Sequence, residues 1–327
     1  MLIHRGNRVA LIAGLLIGTS TFASRSEAET WGEKLGYPAG QKVLLLHADD
    51  IGMCYETSVA AKEGLSKGHY QSCSVMAPCP WVAEFVAWAK ENPSHDVGLH
   101  VALNAEWKYY RWAPVADRTK VPGLMDKQGF LHNSVVVTAL RAKGEEVEAE
   151  IRAQLDKVVS LGIQPTHMDS HMGACFAKPE FIEAYLKVSK ETGIPAFVPA
   201  PSEKLIARLR KEGTPITARH VELMENHQGP KIDDFYVLGQ AKSYDEKKAQ
   251  TLALIESLEP GITEIIFHPQ VESISSKEIT GTWQMRSWES TMWGDPDVVK
   301  YFADKGIVQT NFKELAKRFQ EKFGSNK

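Results

Sequence analysis

The sequence predicts a parallel α/β architecture, and three observations carry that reading. Short apolar runs alternate with helical stretches along most of the 327 residues. The first run, Val43 to Leu46, is unbroken, as suits a strand covered on both faces of a parallel sheet. Polar residues collect where such runs end, and in barrels and open α/β sheets that carboxyl rim is where sites form. No G-x-G-x-x-G or glycine-rich phosphate loop follows the first run, which argues against a nucleotide-binding sheet. A barrel and a doubly wound sheet both remain open on this pattern alone.

The elements follow in order. "KVLLLHA" is a strand, and a helix is expected from Tyr55 to Lys67. "SCSVMAP" gives a second strand, and "WVAEFVAWAKENP" a helix stopped at Pro93. "HDVGLHVAL" is the third strand. From Glu145 to Leu161, Val147, Ile151, Leu155 and Val158 recur at helical spacing and mark an amphipathic helix. "IQPTHMDSH" reads as a short strand, Pro179 to Glu191 as a helix, "IPAFVPA" as a strand, and Ser202 to Lys211 as a helix. Asp245 to Leu258 forms another helix, "ITEIIFHP" a strand, and two helices flank "IVQT" near the carboxyl end. The segments 104–133 and 214–240 are irregular, and the first is too long for a bare connector.

Residues 1–28 stand apart. Arg5 and Arg8 precede a ten-residue apolar run, Val9 to Gly18, and small residues lead to a cleavage site expected after Ala28, with Ala23 second. The run is too short to span a bilayer, and no cysteine follows it to carry a lipid. An exported protein is expected, periplasmic or extracellular, without a membrane anchor, with residues 29–327 as one domain. Losing three arginines and one glutamate moves the net charge from −3 to −5, and no basic stripe invites nucleic acid. Cys54, Cys73, Cys79 and Cys175 allow three pairings or none; their spacing is not a zinc-knuckle pattern. A homodimer stays open.

Four predicted strands end in "HADD", "GLH", "THMDSH" and "FHP". One rim therefore gathers Asp49, Asp50, His100, His167, Asp169, His171 and His268. An aspartate with two histidines is a common first-row metal set that leaves positions for water and substrate. If "HMDSH" stays extended, His167, Asp169 and His171 share one face. Asp169 then orients a ligating histidine or caps the next turn. Adjacent Asp49 and Asp50 cannot face the same way from a regular strand, so a turn permitted by Gly52 is expected to re-aim one of them. The alternative is that one caps the helix near Tyr55.

In these residues the sequence resembles the YdjC-like carbohydrate deacetylases, which include chitooligosaccharide deacetylases and hopanoid-associated members. The matching pieces are "LLLHADDIGM", "GLHVALN", "PTHMDSH", "GIPAFVP" and "EIIFHP", in family order from Val43 to about Leu315. The resemblance implies a distorted or incomplete (β/α) barrel of the glycoside hydrolase/deacetylase type. It implies Asp50, His100 and His171 as ligands of one divalent ion, magnesium or zinc. Asp49 matches the family's general base, His268 its general acid, and Arg286 an arginine near the site. Departures include "MGAC" after "DSH", His47 where asparagine is common, and a long "NAEWKYYRWAP" loop.

The implied reaction removes an N-acetyl group from an amino sugar or oligosaccharide, releasing acetate. Trp107, Tyr109, Tyr110 and Trp112, with Trp283, Trp288 and Trp293, are candidates for a sugar-stacking rim or for core packing. Lys108 and Arg111 hint at an acidic ligand. Two rivals stand beside this reading: a metal hydrolase of another amide or a phosphoester, and a carbohydrate-binding protein without activity. A glycosidase fits less well, since it needs two opposed carboxylates rather than adjacent ones.

Overall fold

The computed structural model describes residues 29–324; the expected signal segment, residues 1–28, lies outside them. Seven strands form one sheet: β1 Lys42–Ile51, β2 Ser72–Val75, β3 Asp96–Val101, β4 Met168–Ser170, β5 Asp234–Val237, β6 Gly261–Phe267 and β7 Val308–Thr310. Their order is β4-β3-β2-β1-β6-β5, and every pairing is parallel. β7 pairs only with the start of β1, at Val43 to Leu45, while β2 joins β1 from His47 onward. One edge of the longest strand is thus shared between two neighbours.

The sheet closes into a distorted barrel through a segment too irregular to count as a strand. "IPAFVPA" makes only isolated bridges, Ala196 to Met168 and Pro199 to Ile232, just short of β5. Pro195, Pro199 and Pro201 lack backbone donors, so a continuous ladder cannot form there. The expected strand is therefore corrected to a bridging strap.

The expected helices are present with small shifts at their ends: Tyr55–Ser66, Val82–Glu91, Gly144–Leu161, Pro179–Thr192, Glu203–Lys211 and Tyr244–Ser257. Near the carboxyl end, Pro296–Asp304 and Phe312–Phe323 flank β7. The "irregular" span 214–240 contains a helix, Ala218–Asn226, and β5. Its sequence hides both, because β5 is four residues long and none of them is fully buried. The loop 104–133 is tied by an Arg111 to Asp126 ion pair at 2.9 Å and a Met125–Leu131 bridge. Arg111 is therefore occupied within the loop rather than free for an acidic ligand. Among the described residues, no helix is long and apolar enough to cross a membrane.

Alternation along β1 sorts its residues. Leu44, Leu46 and Ala48 face the helices in the main core. Val43 and Leu45 join Ile262, Phe197 and Phe312 in a second cluster that fills the amino-terminal end of the barrel. His47 and Asp49 continue that inward face. Gly98 on β3 carries no side chain because an added Cβ would stand 2.3 Å from the His167 ring inside the barrel. All four cysteines are buried free thiols.

Gly52, just past β1, has φ +80°, and a Cβ there would lie 2.9 Å from the Val82 backbone. Gly52→Ala should cost about 1–3 kcal/mol through strain and displacement of that turn. Urea unfolding followed by circular dichroism checks this.

Candidate metal centre

Asp49 and Asp50 end the barrel's central strand, and both reach the site. The device is the backbone of Asp50 itself, which stands at φ +64°. Register with β2 slips between Ala48 and Ile51, as at a β-bulge. The turn expected at Gly52 is present but follows the re-aimed residue rather than causing its change of direction. Neither aspartate caps the next helix, whose N-cap is Cys54. A non-glycine residue in the left-handed region costs on the order of 1–3 kcal/mol. The ion pair from Arg286 to Asp50 Oδ2, 2.7 Å long and buried, holds it there. Arg286 lies on the helix Trp283–Met292, which the sequence reading did not separate from its surroundings.

Three side chains converge. Asp50 Oδ1 is 3.2 Å from His171 Nδ1 and 3.5 Å from His100 Nε2, and the two ring nitrogens are 3.3 Å apart. All three residues are buried. Asp50 Oδ1 has no hydrogen-bond partner. The other nitrogen of each ring is engaged: His100 Nδ1 donates to Asp169 at 2.8 Å, and His171 Nε2 to Glu106 at 2.9 Å. Those carboxylates fix the tautomers, so two lone pairs and a carboxylate oxygen face one point. With both rings neutral these lone pairs repel one another unless a proton or a cation lies between them, and a divalent ion fits the donor set.

The charges agree with that reading. Burial acts against ionised Asp50, but Arg286 and the two imidazoles outweigh it and hold the carboxyl well below its ordinary range. Burial likewise favours neutral His171, yet Glu106 and Asp50 raise its pKa to about 9. His100 is driven well above its usual value in the same way, burial being overcome by Asp169 and Asp49.

Asp169 does not merely cap a turn. It accepts from His100, from Ser74 at 2.8 Å and from His47 Nε2 at 2.9 Å. His47 also stands 3.2 Å from Asp49 Oδ1 and bonds Ser72 through Nδ1 at 2.8 Å. Ser72 in turn donates to Asp96 at 2.7 Å. Burial opposes charge on His47, but Asp169 and Asp49 prevail and raise its pKa well above normal. A row of inward residues on β1, β2 and β3 thus supports the two acids from beneath. His167 shares the inward face as expected but sits deeper, stacked on Phe312 at 3.9 Å and 5.0 Å from the His47 ring. It touches none of the three converging side chains.

His268 follows β6 directly. It stands one position past the Ala48–Phe267 register pair, beside Asp49. Its backbone N–H donates to Glu289 at 2.7 Å, and Glu289 is tied to buried Lys247. Burial, then Arg286, lowers the pKa of its ring, which is therefore neutral at rest. Of the aromatic candidates, Trp112 is buried against His171 at 6.0 Å, and Trp107 lies under the Arg286 guanidinium at 5.6 Å. Trp293 is 2% exposed and packs on Phe267, so it belongs to the core rather than to a rim.

The family model for YdjC-like proteins matches residues 43–304. The chain belongs to the YdjC-like protein family. A protein named carbohydrate deacetylase from Thermoanaerobacter pseudethanolicus is 28% identical over 275 residues, 84% of this chain and 99% of that one. A carbohydrate deacetylase from Thermus thermophilus is 34% identical over 174 residues, 53% of this chain and 59% of that one. A solved structure from Enterococcus faecalis, described as a candidate cellobiose-phosphate cleavage protein, superposes with TM-score 0.70 at 22% identity, covering 84% of this chain and 99% of that one. This last likeness shows the fold alone, a parallel-stranded incomplete barrel with helices outside.

Glu106 and His47 were not among the site residues expected from sequence. His47 carried a readable signal, lying two residues before Asp49 on the same strand face. Glu106 carried none, since it sits in the irregular loop. Glu106→Gln should weaken zinc binding on the order of 10–100-fold, as loss of an orienting carboxylate does; calorimetric titration measures it. Because both histidines favour protonation when no ion is bound, ion affinity should rise with pH as they lose their protons, for His171 around pH 9. Equilibrium dialysis between pH 6 and 9 checks the sign.

Proposed function

We propose that the chain is a metal-dependent carbohydrate deacetylase, a hydrolase that removes N-acetyl groups from amino sugars and releases acetate. The observation that carries it is the convergence of Asp50, His100 and His171 with a second carboxylate, Asp49, alongside. Family membership and the names of the relatives support the reaction class.

Asp50, His100 and His171 would hold the ion. Two imidazoles with one carboxylate are a donor set that suits zinc better than magnesium, which prefers oxygen ligands. A bound ion supplies Lewis-acid polarisation to the acetyl carbonyl and the attacking water.

The chain's own residues do the rest. Asp49 takes the proton of the attacking water. His268 gives a proton to the departing amine. Its ring is neutral at rest, so it would first take a proton from solvent as negative charge develops on the acetyl oxygen. It would then pass that proton to the amine as the C–N bond breaks, while Asp49 returns the proton of the attacking water to solvent. Asp169 and Glu106 keep both ligand rings in the required tautomer, and Trp112 shields His171 from solvent. Export directed by residues 1–28 would place this chemistry in the periplasm or outside the cell.

Acetate release from a panel of N-acetylated mono- and oligosaccharides tests the reading. Activity should vanish with chelator and return with zinc. Asp49→Asn and His268→Gln should each lose on the order of 10²–10⁴ in kcat while retaining one ion per chain. No acetate from zinc-loaded protein across the panel, or a wild-type rate in Asp49→Asn, overturns it.

A further inference from the structure

Segments that follow β1, β2, β3 and β6 border an open cavity of about 390 Å³. Tyr55, Glu56, Trp81, Tyr110, Ser275 and Ile279 line it. It is linked to the centre through two contacts of Tyr110. The Tyr110 hydroxyl donates to the Met53 carbonyl at 2.5 Å, three residues beyond Asp50. The Tyr110 ring lies 6.4 Å from that of Trp107, which underlies the arginine holding Asp50.

Two features single the cavity out. Tyr55 and Trp81 pair at 4.9 Å while remaining 49% and 38% exposed, so the rings present apolar surface to whatever enters. Glu56 at the wall is buried, yet no cationic side chain pairs with it among the described residues. Its partners are all neutral: the hydroxyls of Ser273 and Ser275, both on Oε1, with the Cys54 thiol and its own backbone N–H. Burial opposes its charge, but these neutral donors, the two hydroxyls foremost, together outweigh burial and lower its pKa. A buried anion without a counter-charge, set among aromatic rings, is an arrangement that receives an ammonium group. Aromatic faces also stack on the apolar faces of a sugar ring.

We infer that this cavity is a subsite for a neighbouring sugar unit bearing a free ammonium group, so that a partly deacetylated amino-sugar chain is held with its next N-acetyl unit at the metal centre. Glu56 takes the ammonium, and Tyr55 and Trp81 take the ring. The inference rests on the deacetylase reading for the kind of ligand, but its recognition chemistry does not require turnover. Under it, the product of one cleavage becomes a better-held substrate for the next.

Binding without turnover tests it. Zinc-loaded protein would be titrated with β-1,4-linked dimers of glucosamine, N-acetylglucosamine and glucose, followed by tryptophan fluorescence and calorimetry at a pH where the amine is charged. The glucosamine dimer should bind on the order of tenfold more tightly than the glucose dimer. Glu56→Gln should erase that preference and leave the glucose dimer unaffected, and Trp81→Ala should weaken all three. Equal binding of amino and neutral dimers by the wild type overturns the inference, whatever the variants do. So does a preference that survives Glu56→Gln, or unchanged affinities in Trp81→Ala. A preference for the amine without any acetate release would sink the deacetylase reading and leave the subsite standing.

Discussion

A strand sends successive side chains to opposite faces, and this site needs two successive carboxylates on one side. The left-handed backbone of Asp50 resolves that conflict, and much of the architecture around it follows. The bulge against β2, the turn through Gly52 and the close approach of Val82 all accommodate a chain that changes direction at the strand's end. Such a backbone costs about as much as one good buried ion pair returns. Arg286 supplies the pair, and it comes from a helix more than two hundred residues away in sequence. The strained residue and the tertiary contact that holds it are therefore inseparable.

The second constraint is electrostatic. Asp49, Asp50, Asp169 and Asp96 all lie in or against the barrel interior, where an uncompensated carboxylate costs several kcal/mol. Each meets a different answer. Asp50 has Arg286 and faces the two ligand rings; Asp169 receives three hydrogen bonds; Asp96 receives Ser72, Thr166 and the Phe312 backbone. Asp49 has only His47 and His100 within ion-pair reach, and its Oδ1 lacks a properly directed hydrogen bond. Of the four, it is the acid least committed to structural partners. That is what a proton acceptor requires, because a carboxylate saturated with donors has little affinity left for a proton.

The sequence displayed the barrel strands and their rim well, for a physical reason. Strands buried on both faces read as uninterrupted apolar runs, so β1, β3 and β6 end visibly where the polar residues begin. The long helices were as plain, since each lays one apolar stripe on the sheet. Legibility failed where the stabilising contacts are distant. β5 shows too little burial to leave a pattern, and the "IPAFVPA" strap looks like a strand but lacks the donors for a ladder. In the site, Asp50, His100, His171 and Asp169 were visible through strand ends and alternation. Glu106 was not, because its loop has no periodicity and its role exists only once His171 is folded against it. For Trp293 the sequence left rim and core both open, and its contact with Phe267 decides for the core.

The same division runs through the chemistry. Groups that would hold an ion and move protons sit on strands or within a residue or two of their ends, where register fixes them against one another. Groups that would choose the sugar sit beyond the strand ends, where Tyr55 and Glu56 on the first turn of a helix meet Trp81 and Tyr110 from separate connections with no common periodicity. A loop can change length or composition without disturbing β1 or the His100–Asp169 pair across β3 and β4. The reaction class is accordingly encoded by spacing within short motifs. The choice of sugar would then be encoded by which side chains four separate segments bring to one cavity, and that becomes readable only in three dimensions.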